Sequence, residues 1–532
     1  VSRTKITIIG AGLAGSEAAH QLASQAAIND IDISIDLYEM RPTVKTPAHH
    51  SDKFAELVCS NSLGSELLTT ARGLLIAEME LLDSLIIRSA KQSKVPAGQA
   101  LAVDRELFSE IITNELTKFK NINIIREEIT SLNGLLRCAR NDDANHNNAN
   151  TSLRGVRQQG EAIHNSDYIV IATGPLTSEA LAANISQVLA EGIASSPSAP
   201  RNDGNAFLHF FDAASPILSA DSINMDIAFK ASRYGKGEDD YINCPFYEQE
   251  DFDRFYEALV TAEQAPQKDF EQKAKFFESC LPIEEIARRG KKTLCFGPLK
   301  PVGLRDPRNP DRRPVAVVQL RQDNGAASLY NIVGFQTNLK WGEQKRVFAM
   351  IPGLENAEIV RYGVMHQNIY IHSPSLLTPS LNLKSNPQIY FAGQITGVEG
   401  YTESAATGIV VARDIIAKLK QRQGDCFAPT GLAMTVTQGD CHATSQLAMT
   451  ASFKLPAETM LGALINYVSS EEIAASKQDF QPMNSNWGLI NHGLDPKLAR
   501  NKKLRNETLV ARSLSQLNRY AKIKYASHAV AN

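Results

Sequence analysis

The chain has 532 residues, 43% of them hydrophobic, and a formal net charge of −3. That length supports a large core and two or more domains, and so small a net charge neither names nor excludes a nucleic-acid partner. The longest apolar runs, Ile6–Ile9 and Tyr168–Ala172, are strand-sized and fall short of the roughly 20 residues of a membrane span, so no membrane segment is expected.

Arg3 and Lys5 lead straight into a strand, leaving no room for a secretory leader, and a cytoplasmic location is expected. Ile6–Ile9 reads as a buried parallel strand, Gly10-Ala11-Gly12-Leu13-Ala14-Gly15 as a tight turn and Ser16–Ser24 as a helix. A second strand, Ile33–Tyr38, ends at Glu39. Glycines admit the turn and a pyrophosphate, the helix N-terminus favours its charge, and an acid after the second strand accepts from a ribose hydroxyl. These are the parts of a dinucleotide-binding βαβ unit.

Cys59 follows, in Val58-Cys59-Ser60-Asn61, with no second cysteine close by, which excludes the paired thiols of a flavin disulfide reductase. Seven cysteines form no CxxC pair and no zinc-spaced cluster, so neither a disulfide scaffold nor a metal site is expected. His49 and His50 adjoin, and neighbours on an extended chain face opposite ways, which disfavours a shared metal.

Asp104 is placed to cap a helix carrying Leu107, Ile111, Ile112 and Leu116, followed by a strand at Ile122–Ile125. Tyr168–Ala172 with Thr173-Gly174-Pro175 reads as another strand and turn. Residues 133–165 are Asn-rich and 190–205 rich in Ser, Pro and Asn; both compositions suit poorly ordered surface loops. Cys244 sits in Ile242-Asn243-Cys244-Pro245, preceded by Arg233 and Lys236, cations that lower a thiol pKa if they fold beside it. Cys280 and Cys295 read as small hydrophobes, Cys295 within the strand-like Thr293–Phe296.

Two stretches are basic: Arg288–Arg313 holds nine Lys/Arg against Asp306 and Asp311, and Lys497–Lys524 nine against Glu507. Either a solvated surface or a phosphate-binding face accounts for them. Segments around Arg305, Arg321, Gln336–Trp341 and Arg361 mix amide or basic groups with aromatics, which suits a heteroaromatic or nucleic-acid ligand and equally suits turns and edge strands.

Ile389–Ala392 repeats the strand-to-glycine pattern, with Gly393, Gln394, Gly397 and Gly400 ahead of a helix. Gly424–Thr435 recurs in part as Gly439–Thr450, too short for a solenoid. Cys138, Cys426, Cys441 and His442 are read as incidental. The expected architecture is α/β: a Rossmann-like FAD-binding domain of the two-dinucleotide-binding-domain type, built from 1–199 and 331–532, with a mixed α/β domain inserted at 200–330. Residues 133–165 and 424–452 are expected as additions to that frame.

The ordered motifs GAGLAG, LYEMRP, TPAHHSDKFAELVCSNS, VPAGQALAVDRELFS, VIATGPLTS, SRYGKGEDDYINCP, FGPLKPVGLRDP, LYNIVGFQTNLKWGEQ, IPGLENAEIVRYGVMH and FAGQITGVEGYTESAATG resemble those of the folate- and FAD-dependent tRNA (uracil-5-)-methyltransferase family. The likeness covers nearly the whole chain outside the additions. It implies methylation of the T-loop uridine of tRNA at C5, with 5,10-methylenetetrahydrofolate as carbon donor and FAD, reduced by NAD(P)H, as carrier and reductant. It also implies a functional pair of thiols at Cys59 and Cys244; the basic residues before Cys244 favour it as the thiol that attacks uracil C6, with Cys59 near the flavin as base or proton-relay partner, and the reverse is left open. Gly10, Ala11, Gly12, Leu13, Ala14 and Gly15 match the FAD phosphate turn; Glu39, Gly174, Gln394 and Gly397 are further cofactor candidates. No metal, membrane or obligate protein partner is implied. Alternatives are wobble-uridine carboxymethylaminomethyl-type modification, a tRNA-binding flavoprotein without turnover, and a generic NAD(P)H flavin oxidoreductase.

Overall fold

A computed structural model describes residues 3–46, 48–135, 166–194, 207–235, 239–265, 281–426, 453–475, 480–490, 493–495, 498 and 500–526. Most of the Asn-rich segment, most of the 190–205 stretch and nearly all of the repeat-containing segment, with Cys138, Lys236, Cys280, Cys441 and His442, lie outside those residues.

Strand β1 (Thr4–Ile9), helix α1 (Leu13–Ile28) and strand β2 (Ile33–Tyr38) form the expected βαβ unit, α1 running longer at both ends than its apolar pattern suggested. β1 pairs in parallel with β2 on one side and with Tyr168–Ile171 on the other; Ile122–Ile125 and Ile389–Phe391 complete a five-stranded parallel sheet. Both faces of such a sheet are covered, and the apolar side chains at its centre leave no surface to solvent: Ile6, Ile8, Ile169 and Val170 are wholly buried.

The last strand comes from more than 200 residues beyond its neighbour, and small side chains make that return possible. Helix Tyr401–Cys426 packs on α1 so closely that a Cβ on Gly408 would lie 2.3 Å from the carbonyl oxygen of Ala14. Ala14 and Ala18 on α1 face it without bulk, and both are buried. The two ends of the chain therefore share one hydrophobic core.

A second sheet, antiparallel, takes its strands from Ile217–Ser219, Phe229–Lys230, Tyr241–Phe246, Ala316–Gln322, Leu329–Ile332 and Ile359–Arg361, and so extends past residue 330. One face buries a separate core under helices Gln249–Thr261 and Ile283–Arg288. Phe246, Phe252, Phe255, Phe335 and Phe348 stack edge to face or tilted through it, with Phe246 and Phe255 centroids 5.2 Å apart. Burying each ring contributes about 1.5–3 kcal/mol. The antiparallel pair Phe207–Ala213 and Met365–Ile371 connects this unit to the first.

The strand expected at Thr293–Phe296 is a short helix, Lys291–Phe296. Glycines punctuate it at both ends: Gly290 enters at φ 117°, and the Gly297 N–H closes the last turn on the Thr293 carbonyl. Phe296 is consequently 80% exposed rather than in a sheet.

Candidate functional site

The first glycine turn is shaped by close approach. Gly10 has φ +98°, and a Cβ there would sit 2.6 Å from the Ala172 carbonyl oxygen; one on Gly15 would sit 1.9 Å from the Gly10 carbonyl oxygen. Around Gly12 nothing lies within 4 Å of the equivalent position. Gly12 opens α1 without a side-chain cap, so the first-turn amides face a cavity whose lining includes Gly10, Gly12, Glu39, Met40, Thr173 and Leu176. Uncapped amides with open space before them suit a pyrophosphate.

Glu39 closes the cavity's far side, 6% exposed. One carboxylate oxygen accepts the Arg41 backbone N–H (3.1 Å) and Nε (2.8 Å), the other Arg41 Nη2 (3.1 Å) and the Ala11 N–H (3.1 Å). Burial pushes its pKa up, but the hydrogen bonds and charge of Arg41 outweigh that and hold it below the ordinary carboxylate value. A ribose hydroxyl would share these acceptor sites with Arg41. Of the other turn residues, Ala11 thus spends its amide on Glu39, Ala14 packs on helix Tyr401–Cys426, and Leu13 packs against the core. Gly174, at φ +69°, opens a short 3₁₀ turn whose Thr173, Leu176 and Thr177 line the same cavity. These residues fit the FAD that the motifs imply.

The second glycine turn lies at the end of the edge strand. Gly393, Gly397 and Gly400 have φ of +86°, +81° and +117°. A Cβ on Gly397 would meet the Phe480 ring at 2.4 Å. Gln394 donates to Glu399, and Glu403 behind it accepts from Arg72, Thr402 and Ser485. Burial alone would raise the Glu403 pKa, but Arg72 and these donors bring it below the ordinary value.

Tyr401 joins this turn to Cys59. Its Oη accepts the N–H of Cys59 at 2.8 Å and of Ser60 at 3.2 Å. Three arginines from distant elements hold the same segment. Arg105 donates to the carbonyls of Leu57 (2.6 Å) and Cys59 (3.1 Å) while paired with Asp323. Arg321 donates to Ser60 Oγ (2.7 Å) and Asn61 Oδ1 (3.0 Å), and Arg361 to the carbonyls of Ala48 (3.2 Å) and Val58 (3.1 Å). Arg321 also interacts electrostatically with the Cys59 thiol itself. Cys59 is half-buried, its Sγ 3.4 Å from the Ala213 carbonyl. It stands at the seam of the two units, with cationic groups around it.

Cys244 is placed differently. On strand Tyr241–Phe246 it pairs with Val318, while Tyr241 pairs with Arg321 and Asn243 with Gln319. Paired residues share a face and neighbours alternate. Tyr241, Asn243, Gln319 and Arg321 therefore line the face toward Cys59, whereas Ile242, Cys244, Phe246, Val318 and Leu320 enter the opposite, apolar core. Cys244 is 0% exposed, and burial followed by the charge of Glu355 pushes its pKa up. The expected help from Arg233 is absent: its guanidinium goes to the carbonyl of Val302 and to Gln319 Oε1. A sheet separates the two thiols, and the structure does not bring them together.

Sequence reasoning passed over Tyr401, Arg105 and Asp323, and grouped Arg321 and Arg361 only with polar segments. Alternation in Val318–Gln322 was the available signal, since it sets Gln319 and Arg321 on one face and the apolar residues on the other. Among the described residues no group of His, Cys, Asp or Glu is placed to hold a metal, and no helix is long and apolar enough to cross a membrane.

Residues 5–423 match the family described as "Glucose inhibited division protein A". A protein of Halalkalibacterium halodurans named "Methylenetetrahydrofolate--tRNA-(uracil-5-)-methyltransferase TrmFO" is 46% identical over 522 residues, 98% of this chain and 100% of that protein. Proteins of the same name from Listeria monocytogenes serotype 4b (47% over 516 residues, 97% of this chain and 98% of that protein) and Staphylococcus carnosus (46% over 520, 98% and 99%) are equally similar. Among solved structures, Aquifex aeolicus GidA superposes with a TM-score of 0.60 at 15% identity, over 98% of this chain and 73% of that one.

Proposed function

The chain belongs to the methylenetetrahydrofolate–tRNA-(uracil-5-)-methyltransferase family, and from that premise we propose a flavoenzyme that methylates C5 of the T-loop uridine of tRNA. When bound, 5,10-methylenetetrahydrofolate and FAD, reduced by NAD(P)H, supply the carbon and the hydride. Gly10, Gly12 and the first turn of α1 would hold the pyrophosphate, and Glu39, fixed by Arg41, the adenosine ribose. The relatives at 46–47% identity over nearly the whole chain carry the uracil-5-methyltransferase name, which favours this reading over the wobble-uridine alternative; the GidA structure, 15% identical, shows the fold alone.

Uracil C5 is a poor nucleophile until a thiolate adds to C6: the Sγ–C6 bond forms, the C5–C6 π pair moves toward C4, and O4 takes the negative charge. Cys59 is our candidate for that thiolate, the reverse of the order that the basic residues before Cys244 favoured. It is half-exposed where Cys244 is wholly buried, and Arg105, Arg321 and Arg361 around its segment provide the cationic setting that a thiolate and a developing enolate need. Once C5 has gained the one-carbon unit, a base takes the C5 proton, the electron pair of that C–H bond restores the C5–C6 double bond, and the Sγ–C6 bond breaks to release the Cys59 thiolate; the hydride that reduced FAD would supply brings the carbon to a methyl group. Cys244 then serves the core of the inserted unit, which we bound at residues 214–364, between the connecting strands. Action on tRNA, with no membrane-spanning helix among the described residues, supports a cytoplasmic site of work.

The observation that carries the reading is the four-sided clamp of Tyr401, Arg105, Arg321 and Arg361 on one cysteine-bearing segment beside the dinucleotide fold. Incubating tRNA that lacks the T-loop methyl group with the flavin-loaded protein, NAD(P)H and methylene-labelled folate should place label at that uridine on nucleoside digestion. Label elsewhere, or none with reducible flavin present, rejects it.

A further inference from the structure

Tyr234 is the feature that the reaction leaves unexplained. It has φ +61°, a left-handed backbone that bulky residues avoid, and it is 57% exposed. Its ring lies against Gly303, where a Cβ would come within 2.7–2.8 Å of Cδ1, Cε1 and Cζ; only glycine leaves room for it. The Tyr234 N–H bonds the Gly303 carbonyl at 2.7 Å, and Arg233 bonds the Val302 carbonyl, so the backbone on both sides is fixed. One side of the ring is thus seated on a rigid loop and the rest is open to solvent, with exposed Val302 (57%) beside its seat.

Its position ties it to Cys59. Arg233 Nη2 reaches Gln319 Oε1 at 2.9 Å, and Arg321, two residues along the same strand and on the same face, reaches Ser60 Oγ. Two residues of strand span about 6.6 Å. The loop that seats the ring also carries Lys300 and ends at Arg305, neither of which makes an ion pair among the described residues, within the stretch of nine cations against two acids.

We infer that Tyr234 is an RNA-stacking platform at the mouth of the site, taking a tRNA base next to the extruded uridine while Lys300 and Arg305 take the adjoining phosphates. The inference rests on the tRNA reading above and names a positioning residue for it. A seated aromatic with an open face suits a base, the cations beside it suit phosphates, and extruding one nucleotide leaves its neighbour without a stacking partner.

The test is binding of an unmethylated T-arm hairpin RNA, by fluorescence anisotropy at two salt concentrations, alongside turnover and NAD(P)H-driven flavin reduction. Tyr234→Ala should raise Kd about tenfold, and Tyr234→Phe, which keeps the ring, should bind as wild type. Tyr234→Gly relieves the backbone strain, so it should lose RNA affinity as Ala does while melting no lower than wild type. Replacing Lys300 and Arg305 by Ala together should reduce the salt slope by about two. Flavin reduction should not change in any variant. Unchanged Kd in Tyr234→Ala, or an equal loss in Tyr234→Phe, overturns the inference. Wild type that binds the hairpin without methylating it faults the proposed reaction instead, and wild type that fails to bind overturns both.

Discussion

Replacing Glu39 by Gln tests how the dinucleotide turn is held. In the wild type one carboxylate receives four N–H donors, three from Arg41 and one from Ala11, in a pair only 6% and 3% exposed. An amide keeps one acceptor oxygen and turns its NH₂ toward two of those donors, leaving them unsatisfied at about 1–3 kcal/mol each. Arg41 retains Glu56 at 3.1 Å, so the loss stays below that of a buried charge left with no partner, and the balance is about 3 kcal/mol. The melting temperature should fall by roughly 5 °C or more. Because the folded carboxyl is held below its ordinary value of 4.5, its contribution is present above that pH and is lost as pH falls through the folded value. The gap between variant and wild type should therefore be full at pH 7 and narrow below about pH 4.5. Thermal melts across pH, with flavin retention followed by absorbance, give both readings. A variant that melts and retains flavin like wild type at pH 7, or a gap that widens in acid, refutes the assignment.

Gly397→Ala forces a Cβ to 2.4 Å from the Phe480 ring at φ +81°, and should lower the melting temperature and flavin content together; Ala at exposed Gly342, with nothing within 4 Å, is the control. Native alkylation with iodoacetamide followed by peptide mapping should modify Cys59 and spare Cys244, which only denaturant should expose. Arg321→Met removes the bonds to Ser60 and Asn61, and should lower kcat on the order of a hundredfold through misplacement of Cys59, while flavin reduction by NAD(P)H stays as in wild type.

The parallel βαβ core was readable because its signals are local. Buried strands such as Tyr168–Ile171 are continuous apolar runs, and glycines at Gly10 and Gly393 mark turns whose φ no other residue adopts easily. The Asp104 cap was readable for the same reason: its carboxylate accepts from the N–H groups of Glu106 and Leu107. Thr293–Phe296 misled because four residues fit strand and helix periods alike, and flanking glycines decided for helix. The clamp on Cys59 was out of reach, since Tyr401 and Arg321 lie 342 and 261 residues from the backbone and hydroxyl groups they hold. The surroundings of Cys244 were out of reach for a related reason. Nearness of Arg233 in sequence said nothing about the side of the sheet, whereas the register against Val318 turns the thiol into the core.

The central claim is that Cys59, clamped at the seam, attacks uracil while Cys244 stays in the core. It is tested most directly by trapping the flavin-loaded enzyme with T-arm RNA carrying 5-fluorouridine at the target position, then digesting and locating the RNA-bearing peptide by mass spectrometry. Attack by Cys59 should leave an adduct on the Cys59 peptide, lost in Cys59→Ala and kept in Cys244→Ala. An adduct on the Cys244 peptide that survives Cys59→Ala would contradict it.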